Sequence, residues 1–363
     1  MNRIFSICYA TPRPRRLDPL SVTRVLALRN DRLGDAILST SVFLAIKELN
    51  PNIELHVLGS QINSDFLSRQ PCIDRVHRLY TKKARGVWRR ARNLSTLAKL
   101  RSIPFDAVLD LVHDNRKDSN PFLVNLIARG ALRSGYAKGC SPHRAFDQVV
   151  SSENVKQRHA VLEMQEILGN TFILPKGFQY PDPSVAREPE AAGRVQAVLQ
   201  EAGVGRYVVV NVAAGDPRRE YPEAKWGKVL QGVLPSRPGL AAVVTGPADQ
   251  AARLESVCEA AGPELRGRCL AFPTTLYECS ELLRGARAAL TPDTSVAHLA
   301  AAHKVPVLGL YDDFHYKDKV WRPFATACRL VYPPERGLLR DIDEAQLVRE
   351  FEALEKMAHE QQT

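Results

Sequence analysis

The sequence predicts an α/β protein made of two Rossmann-like, doubly wound parallel-sheet domains facing one another across a cleft. Two observations carry this. Short β-rich runs alternate with helical stretches of roughly 10–15 residues, the pattern of βαβ units and parallel sheets. The pattern also opens twice in the same way, with an apolar strand, a polar loop containing glycine, and then a helix. At 363 residues the chain is long for one core and comfortable for two.

In the first opening the strand is residues 22–28 (Val-Thr-Arg-Val-Leu-Ala-Leu), the loop 29–34 and the helix 35–49. In the second the strand is residues 207–213 (Tyr-Val-Val-Val-Asn-Val-Ala), the loop starts at Gly215 and the helix covers about 223–234. Further strands are expected at 53–58, 76–80 and 107–112, then at 240–245, 288–291 and 305–311. Three prolines in the stretch 174–184 interrupt any regular pattern. The expected domains are therefore 22–175 and 176–345, followed by a charged C-terminal helix over 346–363. Residues 1–21 carry Arg3, Arg13, Arg15 and Arg16 around a short apolar stretch. Pro-Arg-Pro-Arg-Arg stands where a signal-peptide cleavage site should be, so this segment reads as a basic, disordered leader.

Hydrophobic content of 45% and charged content of 25% are those of a soluble globular protein. No apolar run approaches the roughly 20 residues that a membrane-spanning helix needs. The seven cysteines are scattered, without a C-x-x-C pair, which suggests a reducing cytoplasm and neither a disulfide framework nor a metal site. The net charge of +10 is unevenly divided. Residues 1–175 hold 27 Lys and Arg against 15 Asp and Glu, or +12, and the remainder carries −2. An anionic partner is therefore expected at the first half. The densest basic stretch, residues 82–92, reads either as a solvated helix face or as a contact with an anionic membrane surface, with Val87 and Trp88 among the headgroups. No recognised nucleic-acid module accompanies it, so no nucleic-acid partner is expected.

In open parallel sheets, ligands bind beyond the carboxyl ends of the strands, where loops lead into helix N-termini. Three loops fit. In the first, 29–35 (Arg-Asn-Asp-Arg-Leu-Gly-Asp), Gly34 permits a tight turn and Asp35 stands at a helix start. Asp35 reads as a simple N-cap or as a general base whose ionised form the helix end favours. In the second, 213–226, Gly215 followed by Arg218 and Arg219 before a helix suits a diphosphate, with an ordinary charged surface loop as the alternative. There is no G-x-G-x-x-G and no Walker A lysine loop. The third is 291–298 (Thr-Pro-Asp-Thr-Ser-Val-Ala-His). Asp293, Thr294 and Ser295 crowd a helix start more than capping requires, and His298 follows one turn in as a ligand contact or a structural residue.

In this order and spacing the loops resemble glycosyltransferase family 9, the lipopolysaccharide heptosyltransferases of GT-B fold, over roughly residues 22–345. The family's R-x-D/S-x-x-G-D loop matches Arg29 to Asp35, and its D-T-x-x-x-H signature matches Asp293 to His298. Between them, residues 106–117 resemble the family's D-x-x-x-D-L strand with its polar continuation, and residues 133–136 its R-x-G-Y element. Residues 299–302 and 305–310 continue the pattern. The resemblance implies an inverting, metal-independent transfer with Asp35 as base. It needs no cofactor beyond a nucleotide-sugar co-substrate, ADP-heptose, held by Gly215, Arg218, Arg219, Asp293, Thr294, Ser295 and His298. The implied acceptor is an anionic inner-core glycolipid of lipid A–Kdo type meeting Asp31, Arg32, Asn115, Arg116 and Lys117, at the inner face of the cytoplasmic membrane. Two positions depart from the pattern, with Arg219 in place of lysine and Ser295 in place of glycine. The same residues also fit another nucleotide-sugar or surface-glycan acceptor, or a non-catalytic binding protein that kept the fold.

Overall fold

The computed structural model describes residues 15–80, 87–112, 120–136, 145–150, 158–312, 317–334 and 337–361. The chain divides into two compact units, Met1–Ala186 and Arg187–Thr363.

The first unit runs β1 (Arg24–Arg29), α1 (Leu33–Leu49), β2 (Glu54–Ser60), α2 (Ser64–Ser68), β3 (Arg75–Leu79), α3 (Val87–Ser102), β4 (Ala107–Asp110), α4 (Asn120–Ile127), β5 (Leu132–Tyr136), β6 (Gln148–Val150) and α5 (Ala160–Thr171). Its sheet has the order β3-β2-β1-β4-β5-β6, with every pairing parallel. Five of the six residues of β1 are buried, because helices cover both faces of such a sheet and the central strand reads as a continuous apolar run.

The second unit runs α6 (Pro189–Glu201), β7 (Arg206–Asn211), α7 (Glu223–Val233), β8 (Leu240–Gly246), α8 (Ala251–Ala260), β9 (Cys269–Pro273), α9 (Leu276–Arg284), β10 (Ala289–Pro292), α10 (Ser295–Ala302), β11 (Val307–Leu310), α11 (Lys317–Val320), β12 (Cys328–Val331) and α12 (Glu344–Glu360). Its sheet order is β12-β11-β10-β7-β8-β9, again all parallel. Counted within its own unit, each sheet therefore has its first strand beside its fourth. Loops leaving those two strands diverge to opposite faces and leave a crevice at their carboxyl ends. Gly227 lets α7 and α8 touch, since a Cβ there would lie 2.4 Å from the Ala260 carbonyl.

The C-terminal helix runs from Glu344 to Glu360. Asp343 caps it, accepting from the Gln346 amide at 3.0 Å. Leu347, Phe351 and Leu354 bury one stripe against the second unit's core. Arg237 lies 5.1 Å over the Phe351 ring and pairs with Glu355 at 2.6 Å. Residues 15–21 also differ from the expected disordered leader. The Leu17 amide donates to Thr171 and its carbonyl accepts from Ile173, each at 2.8 Å. Asp18 then caps the turn Pro19–Ser21. Residues 1–14 lie outside the described part. Among the described residues, no helix is long and apolar enough to cross a membrane.

Candidate active site

The crevice of the first unit is built on Arg29, the last residue of β1, whose side chain is only 1% exposed. Its Nη1 donates to Asp31 Oδ2 at 2.7 Å and lies 3.9 Å from Asp35 Oδ1. Its Nη2 donates to the Leu111 carbonyl beyond β4 and to Met164 Sδ. One buried guanidinium thus holds two carboxylates at the mouth of the sheet. The loop is fixed from beneath by Asn63, which donates to the Arg29 carbonyl at 2.8 Å, and by Ser60, whose hydroxyl donates to the Asp31 carbonyl at 2.9 Å. On the β4 side, Asn120 links Asn30 to Asp110 through bonds of 3.0 Å to each. Burial pushes the Asp31 carboxyl up to about 7 against the pull of Arg29, and the neighbouring Asp35 charge adds to the rise.

Asp35 is not an N-cap. The helix begins at Leu33 with Arg32 as its cap residue, which makes no side-chain capping bond, and Asp35 sits within the first turn with 14% of its side chain exposed. Gly34 likewise lies inside that turn and not in a loop before it. A carboxylate there keeps the favourable field of the helix end while its oxygens remain reachable. Arg32 is exposed beside it. Asn115, Arg116 and Lys117 lie outside the described residues. Arg133, in the R-x-G-Y element, is structural: Nε and Nη2 grip both oxygens of Asp147 at 3.0 and 2.8 Å. Gly135 in that element faces the Phe146 ring, which a Cβ would meet at 2.7 Å.

In the second unit, Asn211 ends β7 next to β10. Its Nδ2 donates to the hydroxyls of Thr291 at 2.9 Å and Thr294 at 3.3 Å. Of the three polar residues at the α10 start, only Thr294 is the cap, accepting from the Val296 amide; Ser295 is the first helical residue. Beyond these strand ends lies a cavity of about 350 Å³ lined by Gly215, Thr245, Gly246, Thr275, Thr294 and Ser295, among others. It opens on two helix N-termini, those of α9 and α10. The α9 end carries a full capping box between Thr275 and Glu278.

The proposed donor residues therefore fall into four places. Gly215, Thr294 and Ser295 line the cavity. Arg219 and Asp293 form an ion-pair cluster: Arg219 Nη1 is 3.3 Å from Asp293 Oδ2, and Nε is 3.0 Å from Asp312 Oδ2. Arg218 is exposed and pairs with Asp216 at 2.6 Å, holding that carboxyl well below the usual range. His298 is buried one turn into α10, at 6% exposure. Sequence reasoning missed Thr245, Gly246, Thr274, Thr275 and Cys279 of the lining. The Thr275-x-x-Glu278 spacing after the β9 segment was the signal available for one of them, Thr275. Among the described residues, no group of three or more His, Cys, Asp or Glu could hold a metal ion.

Comparison with known proteins fits this arrangement. The profile of glycosyltransferase family 9 (heptosyltransferase) matches residues 94–334. A lipopolysaccharide heptosyltransferase 3 of Escherichia coli is 24% identical over 297 residues, 80% of this chain and 84% of the relative. A lipooligosaccharide heptosyltransferase 2 of Haemophilus influenzae is 22% identical over 300 residues, covering 79% and 82%. Among solved structures, a glycosyl transferase family 9 protein from Veillonella parvula superposes with a TM-score of 0.73 at 15% identity, over 96% of this chain and 100% of that one. The Escherichia coli heptosyltransferase WaaC with ADP gives 0.68 at 17% identity, over 92% and 100%. The fold class is the two-domain GT-B type of α/β protein that the sequence predicts. With the family profile covering most of its length, the chain belongs to glycosyltransferase family 9 and is a glycosyltransferase.

Proposed function

We propose that the protein moves a heptose from ADP-heptose to a hydroxyl of an anionic lipopolysaccharide inner-core acceptor of lipid A–Kdo type, with inversion at the anomeric carbon. Asp35 takes the proton from the acceptor hydroxyl. The freed oxygen attacks the anomeric carbon opposite the leaving group, the bond from that carbon to the diphosphate oxygen breaks, and ADP departs with the electron pair. The observation that carries this reading is the position of Asp35. Its carboxylate stands in the first turn of α1, at the carboxyl end of the strand beside β4, with Oδ1 3.9 Å from the buried Arg29 guanidinium and part of the side chain open to solvent.

Several features support the two substrates. The donor reading draws on the helix N-termini at the cavity and on the Arg219 cluster, as sites for anionic oxygens. Escherichia coli WaaC has been solved with ADP and with ADP-2-deoxy-2-fluoro heptose, and curated relatives are heptosyltransferases of lipopolysaccharide and lipooligosaccharide. On this reading Gly215, Arg218, Arg219, Asp293, Thr294, Ser295 and His298 serve the donor. Asp31, Arg32, Asn115, Arg116 and Lys117 serve the acceptor, whose phosphates and carboxylates suit the +12 of the first half. The enzyme works at the inner face of the cytoplasmic membrane, where such an acceptor is anchored. The test is Asp35→Asn, with transfer followed by ADP release and donor binding measured separately. The expected result is a loss of about 10²–10⁴-fold in kcat with donor affinity kept within a few fold. Near-normal turnover of the variant would remove Asp35 from the mechanism.

A further inference from the structure

The charge of the first unit is concentrated on one element. Between Asp74 and Asp106 the chain has ten Lys and Arg and no Asp or Glu. Helix α3 occupies the second half of that stretch and packs on its sheet through one side only. Leu100 is fully buried, Leu97 packs against the core, and Asn93 clasps Tyr80 by donating to its carbonyl at 2.8 Å and accepting from its amide at 2.9 Å. Among the described residues nothing covers the other side. Trp88 is 85% exposed and Leu94 68% exposed, two of the most exposed large apolar side chains among the described residues.

At 100° per residue, Trp88, Ala91, Leu94, Ser95 and Ala98 form a continuous exposed stripe along the helix. Arg92 and Lys99, seven residues apart, run along one edge of it. Arg90 and Arg101, eleven apart, run along the other, and all four are exposed. Neither edge carries an acid. A solvated helix normally mixes charges of both signs and keeps tryptophan off its open face. A helix lying in a lipid interface has this opposite arrangement, with apolar side chains below the headgroup plane and cations level with the phosphates.

We propose that this face of α3 is a docking surface for an anionic lipid bilayer, with Trp88 and Leu94 inserted and Arg90, Arg92, Lys99 and Arg101 meeting lipid phosphates. The inference deepens the membrane placement proposed above and rests on it. Its binding test is read on vesicles alone, without donor or acceptor, so its failure leaves the transfer reaction untouched. Full-length protein is sedimented with vesicles of phosphatidylcholine alone and of phosphatidylcholine with phosphatidylglycerol, at low and high salt. Tryptophan emission is followed in parallel. The chain has three tryptophans, and Trp226 is fully buried, so a blue shift lost in Trp88→Phe reports Trp88 itself.

Binding is expected to the anionic vesicles only, weakened by salt, with a blue shift of emission. The double variant Trp88→Ser, Leu94→Ser should bind about tenfold or more weakly while its circular dichroism and turnover on a soluble acceptor fragment stay unchanged. Wild-type protein that ignores anionic vesicles at low salt would overturn the proposal and leave α3 a solvated face. So would a double variant that binds as tightly as wild type, since contact would then be purely ionic or lie elsewhere.

Discussion

Replacing Arg29 by Met tests how the first unit's site holds its charges. The guanidinium is buried, 2.7 Å from the Asp31 carboxylate and 3.9 Å from that of Asp35. Asp110 and Tyr136 also act on it, and Glu163 acts in turn on Tyr136. At an effective dielectric of about 20, a charge at the Asp35 distance is worth up to about 4 kcal/mol to that carboxylate. Both carboxylates keep some contact with water, so the realised loss is a fraction of that. Without their shared cation the two anions repel one another, and kcat/KM should fall about tenfold or more. Folding stability at pH 8 should fall by about 2–3 kcal/mol, because an anionic pair is left without its cation. The loss should shrink toward pH 5, where Asp31, whose carboxyl burial raises to about 7, takes up a proton. Adding Asp31→Asn to Arg29→Met should restore part of both kcat/KM and stability, since one of the two competing anions is gone. ADP release and urea unfolding at both pH values measure these quantities. Unchanged kcat/KM and stability in Arg29→Met would refute the idea that Arg29 holds the two carboxylates together.

Three further outcomes are expected. Thr275→Ala removes the capping box of α9, in which the Thr275 amide donates to Glu278 at 2.7 Å, and should cost about 1 kcal/mol by urea unfolding while raising the KM for donor; Thr275→Ser should restore both. Gly227→Val pushes a side chain into the Ala260 backbone and should destabilise by about 1–3 kcal/mol, so a midpoint unchanged from wild type would show that α7 and α8 are less tightly apposed than described. Burial lowers the pKa of His77 and of His303 to about 4, and the unfolded chain binds their protons at higher pH; stability is therefore full above about pH 6.5 and should drop by about 2 kcal/mol for each, or about 4 kcal/mol in all, by pH 5. Glu54, held down to about 2, contributes nothing to that window, and a flat urea midpoint between pH 7 and 5 would contradict the histidine assignment.

The sequence disclosed most strands with a compact β-rich run: β1, β2, β7, β8 and β10 are largely buried and bounded by clear turn or helix patterns. β9 was hidden because it is only half-buried and ends in Pro273, and β6 because three residues carry no periodicity. Asp35 was legible as the end of a strand–loop–helix unit, but its relation to Arg29 and Asp31 was not. That relation depends on Arg29 turning into the sheet to meet residues beyond β4 and on α5, which are distant in sequence. The donor cavity was half legible for a similar reason. The loops after β7 and β10 are rich in charge and draw attention, whereas its other wall, with Thr245, Gly246 and Thr275, consists of small neutral residues.

Arg219 has one more consequence. Its fork already faces the carboxylates of Asp293 and Asp312 before any donor arrives. On the proposed function, a diphosphate reaching this arginine does not fill an empty seat but evicts a tethered competitor. An intramolecular rival has a high effective concentration, so a weak or transient anion cannot displace it. A ligand that gains contacts elsewhere in the site at the same time can. The carboxylates would then act as a threshold that keeps stray phosphate out and lets a whole nucleotide-sugar in.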